Sequence, residues 1–200
     1  MTEYQFTKDW FSWAPAVWEQ LIPMLPARKK FLEIGSFEGR SMVWIVENMM
    51  EDGGEIYCID TWEGGEEHSE EDMSPAEDNF RHNRKLLMDK YADRHISIIK
   101  ETSLAGLASW LLSSEFSKEI FDFIYIDGSH IAKDVLTDAC MAWPLLKLEG
   151  FMVFDDYAWG NPRDALHRPK IAIDAFTNIF GETAEIVHVG YQLVVRKKGE

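Results

Sequence analysis

The segment FDFIYID (121–127) constrains this chain more than any other stretch, because it is apolar on both faces. A strand with one wet face alternates apolar and polar residues, so a strand apolar on both faces must be covered on both sides. Comparable runs recur along the chain: KFLEI (30–34), EIYCID (55–60), HISIIK (95–100) and GFMVF (150–154). Segments 41–50, 75–91, 104–113, 131–146 and 169–180 read as helices between and after them. Ser74-Pro75-Ala76-Glu77 has the form of a capping box with Pro at the first helical position. EIVHV and YQLVVR flank Gly190 and read as a closing hairpin. Strands alternating with helices imply an α/β fold with a parallel sheet covered on both faces, and the hairpin adds antiparallel character at one edge. Ligands of such sheets sit beyond the C-terminal ends of the strands.

The chain's 200 residues fit a single domain, 1–200, able to bury a core without metal or disulfides. Twenty Lys and Arg against 35 Asp and Glu leave a net charge of −15. That balance argues against nucleic acid and against an anionic membrane surface, both of which are bound by Lys and Arg. No apolar run approaches the ~20 residues of a membrane span. MTEYQFTKDW (1–10) lacks the basic and apolar regions of a secretory signal. Cys58 and Cys140 read as buried, reduced thiols, and no Cys/His cluster suggests zinc. A cytoplasmic enzyme or small-molecule binder is expected, its assembly open between monomer and homodimer.

Two segments stand outside the α/β pattern. Residues 1–28 form an aromatic, helical appendage in which Trp10, Trp13 and Trp18 can share one helix face, as an edge helix or a lid over a flat ligand. Residues 62–80 form an acidic loop; its core, EGGEEHSEEDMSPAED (63–78), carries eight carboxylates and no Lys or Arg. It reads as a solvated loop or as a gate over the site.

The strand-end residues follow from the pattern. Gly35, Ser36, Phe37 and Gly39 lie in a turn between a strand and a helix, where glycine lets backbone approach a ligand and the helix N-terminus favours an anion. Phe37 stands where a dinucleotide fingerprint needs its second glycine, which counts against a nicotinamide cofactor. Asp60 ends the second strand, as a ribose acceptor or as a turn residue. Trp62 either stacks on adenine or packs; Ser103 either meets an adenine edge or caps the next helix.

Glu33-Ile-Gly-Ser-Phe-Glu-Gly-Arg-Ser41, Asp60, Ile126-Asp-Gly-Ser-His130 and Phe154-Asp-Asp-Tyr157 together resemble a class I S-adenosylmethionine-dependent methyltransferase over residues 30–196. The later Asp and Asp-Asp pair resemble the metal-dependent O-methyltransferases of catechol and macrolide-sugar type. The resemblance implies a Rossmann-like, seven-stranded, mostly parallel sheet ending in an antiparallel hairpin. It implies that Glu33, Gly35 and Ser41 hold the methionine part of the cofactor, Asp60 the ribose and Ser103 the adenine. Neither the aromatic N-terminus nor the acidic loop has an assigned counterpart, so both are expected to bear on substrate choice.

At the other end of the crevice, Asp127 closes one strand and Asp155-Asp156 the next. If those strands are neighbours, three carboxylates meet at one rim, where they would repel and raise one another's pKa. A hard divalent cation relieves this, and oxygen-only ligands suit Mg2+. The plainer alternative makes these residues caps of a turn and of helix 131–146. His130, three residues after Asp127, suits a general base near neutral pH. The catechol enzymes carry a lysine at that offset, and the macrolide-sugar enzymes an acid one residue earlier, where this chain has Ser129. His130 as a cofactor contact or helix cap stays open; His68, His82, His95, His167 and His188 receive no role. The expected activity is O-methylation of a small molecule with adjacent oxygens, sugar or catechol-like. An NAD-dependent oxidoreductase and a non-catalytic S-adenosylmethionine binder are the alternatives.

Overall fold

In the computed structural model, which describes residues 3–65, 68–70, 72–113, 119–160 and 165–199, the apolar runs become strands of one sheet. These are β1 (Lys30–Ile34), β2 (Glu55–Asp60), β3 (His95–Lys100), β4 (Phe121–Ile126) and β5 (Leu146–Phe154), joined by β6 (Ala184–Val189) and β7 (Leu193–Lys197). The order is β3-β2-β1-β4-β5-β7-β6. Every pair from β3 to β5 is parallel, and β7 is antiparallel to both β5 and β6. The seven-stranded, mostly parallel sheet with a terminal antiparallel hairpin is therefore the observed fold. The chain leaves β1 toward β2 on one side and returns to β4 on the other, so their carboxyl ends form the crevice where such folds bind ligands.

Strand β4 is buried along its whole length, as its two apolar faces require. Alternate residues divide between two cores. Phe31, Phe123, Tyr125, Phe151 and Val153 face one layer with Trp18, Met42, Val46 and Phe80. Leu32, Ile34, Ile124, Ile126, Met152 and Phe154 face the other with Leu107, Val135, Ala139, Ile173 and Phe176. The helices supplying these layers are α1 (Pro15–Leu21), α2 (Arg40–Trp44, widening into a π-turn at Ile45–Met49), α3 (Ala76–Lys90), α4 (Ser103–Leu112), α5 (Ala132–Ala142) and α6 (Pro169–Ile179).

Several local expectations are corrected. The capping box before α3 does not form: the helix starts behind Pro75 with no side-chain cap. Glu77 instead pairs with Arg81 at 2.7 Å and Lys100 at 2.5 Å. The helix expected over 131–146 stops at Ala142; a 3-10 turn through Pro144, which lacks an N–H, leads into a strand four residues longer than GFMVF. Cys58 is buried, but Cys140 is exposed, because the inner face of α5 is Ala132, Val135, Ala139 and Ala142. The N-terminal helix begins only at Pro15, so Trp10 and Trp13 precede it while Trp18 lies fully buried within it.

The N-terminal segment is tied down before that helix. Asn83 accepts from the Gln5 backbone N–H at 2.7 Å and donates to its carbonyl at 2.8 Å. The buried carboxylate of Glu38 accepts from the Thr7 N–H (2.6 Å), the Thr7 hydroxyl (2.8 Å) and Asn79 (2.8 Å). The lid expected of the acidic loop 62–80 falls partly on residues 66, 67 and 71, which lie outside the described residues. Among the described residues, no helix is long and apolar enough to cross a membrane.

Candidate active site

The carboxyl ends of β1, β2, β4 and β5 open into a cavity of about 810 Å³. The β1–α2 turn forms its floor. Gly35 has φ +83°, and a Cβ there would lie 1.9 Å from the Asp127 carbonyl oxygen, so only glycine permits this crossing of β1 past β4. Phe37, Trp62 and Asp156 are left-handed non-glycine residues, with φ of 45°, 57° and 56°. All three line or adjoin this cavity, where stored backbone strain commonly collects.

Asp60 holds the turn together. One carboxylate oxygen accepts from the N–H groups of Ser36 (2.7 Å) and Phe37 (2.8 Å), and the other from Trp62 (2.7 Å). A carboxylate has about four lone-pair positions, so one acceptor direction remains for a ligand hydroxyl. Trp62 returns its indole N–H to the Phe37 carbonyl at 2.7 Å and packs its ring on Phe80. Trp62 also lines the cavity. Ser103 opens α4, but the cap of that helix is Thr102, which accepts from the Ala105 N–H at 3.3 Å.

Glu33, on β1 two residues before Gly35, is fully buried. The Ser41 hydroxyl donates to its Oε1 at 2.6 Å. Burial pushes its carboxyl up to about 7, against hydrogen bonds from Ser36, Ser41 and Cys58. Ser36 and the Cys58 thiol lie near enough to this carboxyl to oppose its shift, so Glu33 has polar neighbours of its own.

At the other end, β4 and β5 are neighbours, so Asp127 and Asp155-Asp156 do share one rim. Burial, then the neighbouring charges of Asp155 and Asp156, hold the Asp127 carboxyl well above its ordinary range. Burial and the Asp156 charge push Asp155 up to about 7. Ligand atoms of Asp127, His130 and Asp156 lie within 4.8 Å of one another. Asp155 sits behind them: it accepts from the Tyr125 hydroxyl, and its other oxygen accepts from the Asp156 N–H at 2.7 Å. His130 Nε2 is 2.6 Å from Asp156 Oδ2.

Sequence reasoning missed three features. Asp138 on α5 lines the cavity, and burial pushes its carboxyl up to about 7 against a hydrogen bond from Ser103. Its place on the inner side of α5 beside Val135 was the only signal in the chain. The aromatic mouth was also hidden: Trp10 stacks on Phe37 at 4.7 Å and on His68 at 5.2 Å, His130 meets Trp159 at 4.6 Å, and Trp13 meets Tyr191 at 4.6 Å. The third is Tyr125, whose hydroxyl lies between Asp127 (2.9 Å) and Asp155.

A family model described as a methyltransferase domain matches residues 32–157. No curated protein matches the chain. An O-methyltransferase from Bacillus cereus solved with S-adenosylhomocysteine is similar in fold, with TM-score 0.67 and 19% identity over 96% of this chain and 84% of that one. The MycE methyltransferase of the mycinamycin biosynthetic pathway, solved with Mg and S-adenosylhomocysteine, gives TM-score 0.60 and 19% identity over 96% of this chain and 51% of that one.

Proposed function

Because the chain belongs to the methyltransferase-domain family, we propose that it is an S-adenosylmethionine-dependent O-methyltransferase acting on a small molecule with adjacent oxygens, assisted by a divalent cation such as Mg2+. The observation that carries this reading is the meeting, in one cavity, of a polar floor at Ser36, Ser41 and Asp60 with an acidic rim at Asp127 and Asp156, Asp155 standing behind it. The floor fits the charged methionine part of the cofactor, and Asp60 keeps one acceptor direction for its ribose. The rim fits a hard cation, because three carboxylates so close repel unless a positive charge joins them.

S-adenosylmethionine supplies an electrophilic methyl group, and a bound cation lowers the pKa of an acceptor hydroxyl. The chain's own residues do the rest. Glu33, Ser36 and Ser41 hold one end of the cofactor, and the Asp60-braced turn fixes its height in the crevice. Asp127 and Asp156 present oxygens toward the acceptor side. His130 takes the acceptor's proton, its ring aimed by the carboxylate of Asp156 at 2.6 Å. Trp10, Trp159 and Tyr191 wall the acceptor end.

The His130–Asp156 contact also favours a second reading, in which this pair removes the proton with no metal. Methyl transfer from S-adenosylmethionine to a panel of catechols and sugar diols, with and without exhaustive chelation, separates the two. The metal-assisted reading expects activity lost on chelation and restored by Mg2+. Full activity after chelation overturns it in favour of the dyad. In either case His130→Gln should lower kcat ~10²–10⁴-fold with cofactor affinity intact.

A further inference from the structure

The rim carboxylates do not hold their own positions. Asp156 sits at φ 56°, a conformation that costs free energy and persists only if its surroundings impose it. The surroundings are the turn between β6 and β7. The Tyr191 hydroxyl donates to Asp156 Oδ1 at 2.7 Å, and the Tyr191 carbonyl accepts from the Ala158 N–H at 3.2 Å, which stitches the 155–158 loop to the hairpin. The next residue, Gln192, is fully buried and directs its amide N–H to Asp155 Oδ2 at 3.4 Å. Each of these two residues has a tryptophan of the N-terminal segment behind it. Trp13 meets the Tyr191 ring edge-on at 4.6 Å, and the buried Trp18 donates its indole N–H to Gln192 Oε1 at 2.8 Å.

We propose that Tyr191 and Gln192 are positioning residues for the rim carboxylates, and that Trp13 and Trp18 are their braces. The inference rests on the metal-assisted reading above. It gives the aromatic N-terminus a definite task. The segment, anchored by Glu38 and Asn83, reaches across the sheet's carboxyl edge and fixes the hairpin turn. The turn in turn fixes the direction in which Asp155 and Asp156 point. Groups that orient ligating carboxylates typically change metal affinity ten- to a hundredfold when removed.

The probe is Mn2+ alone, titrated by electron paramagnetic resonance into the full chain, with S-adenosylhomocysteine affinity measured by calorimetry in metal-free buffer. Wild type should bind Mn2+ and Asp127→Asn should lose it. Tyr191→Phe, at a half-exposed site that tolerates the change, should weaken Mn2+ about ten- to a hundredfold and alter the bound spectrum. Gln192→Met should act in the same direction, and Trp13→Ala should produce a smaller loss. All three should keep S-adenosylhomocysteine affinity within about threefold, a result a merely structural role would not give. If wild type binds Mn2+ and the Tyr191 and Gln192 variants bind it equally well, the positioning inference is wrong while the metal reading stands. If Mn2+ and S-adenosylhomocysteine affinities fall together, the residues are general supports and the inference is also wrong. If wild type binds no Mn2+, the metal reading itself fails and this inference falls with it.

Discussion

S-adenosylhomocysteine should bind more tightly as pH rises through neutrality, and Glu33 should be the reason. In the ligand-free protein burial holds this carboxyl at about 7, against an ordinary 4.5. A raised carboxyl pKa means the folded chain holds its proton longer than the unfolded one. The fold's stability is then fullest below about pH 4.5 and is lost as pH climbs through 7, a difference worth ~3 kcal/mol. Binding reverses this. A positive charge on the methionine part would favour the ionised carboxylate and pull its pKa back toward the ordinary range. Below neutrality the complex must therefore expel a proton to form. With an apo pKa of about 7, the dissociation constant should rise ~25-fold between about pH 7.5 and 5.5, which is ~2 kcal/mol. Calorimetry in metal-free buffer at both pH values measures this directly. Methylthioadenosine, which lacks the amino acid part, should show no such slope. Glu33→Gln should bind weakly at both pH values. A flat wild-type affinity would sink the argument. A slope that survives in Glu33→Gln would move the titration to Asp138, the other cavity carboxyl pushed up to about 7.

Asp60→Ala should weaken S-adenosylhomocysteine about ten- to a hundredfold, because it removes the ribose acceptor and frees the Ser36 and Phe37 N–H groups; unchanged affinity by calorimetry would refute the assignment. Gly35→Ala should cost more than ~4 kcal/mol in urea unfolding, since its Cβ would meet backbone 1.9 Å away; a loss under about 1 kcal/mol would show that β1 and β4 can part freely. Asp127→Asn should abolish methyl transfer while sparing S-adenosylhomocysteine binding; retained turnover on any diol that wild type methylates would remove the rim from the chemistry. Trp18→Ala should destabilise the fold by ~3–5 kcal/mol, since the ring is fully buried against Phe123 and Tyr125; thermal or urea melts test it, and a loss below about 1 kcal/mol would mean α1 is not part of the core.

Much of the fold was legible in the chain because its signals are local. Runs such as FDFIYID and EIYCID have no stable place except in a strand covered on both faces, and the alternation with helices leaves little but a parallel sheet. Gly35 was legible as a turn residue between a strand and a helix, but the contact that demands glycine there, the Asp127 carbonyl beyond β4, belongs to the tertiary structure. Element ends were less legible. Ser74-Pro75-Ala76-Glu77 has the right spacing for a capping box, yet Glu77 is claimed by Lys100 at the end of β3, a competitor that no local pattern reveals.

The site divides along the same line. The sequence by itself determined which carboxylates end which strands, and hence that Asp60, Asp127, Asp155 and Asp156 would gather at one edge of the sheet. Only the tertiary structure decided what each of them faces. Asp60 and its neighbours place three backbone donors on one carboxylate; Tyr125 and Gln192 stand behind Asp155; His130 rather than Asp155 shares the outer rim with Asp127 and Asp156. Several of those partners lie far apart in the chain, as Phe37 with Asp60, Tyr125 with Asp155 and Gln192 with Asp155 do. A hydrogen bond or a buried charge depends on distances of a few ångströms, and chain order fixes such distances only within a helical turn or a hairpin. Contacts across the sheet exist once the apolar faces have closed over both sides of it.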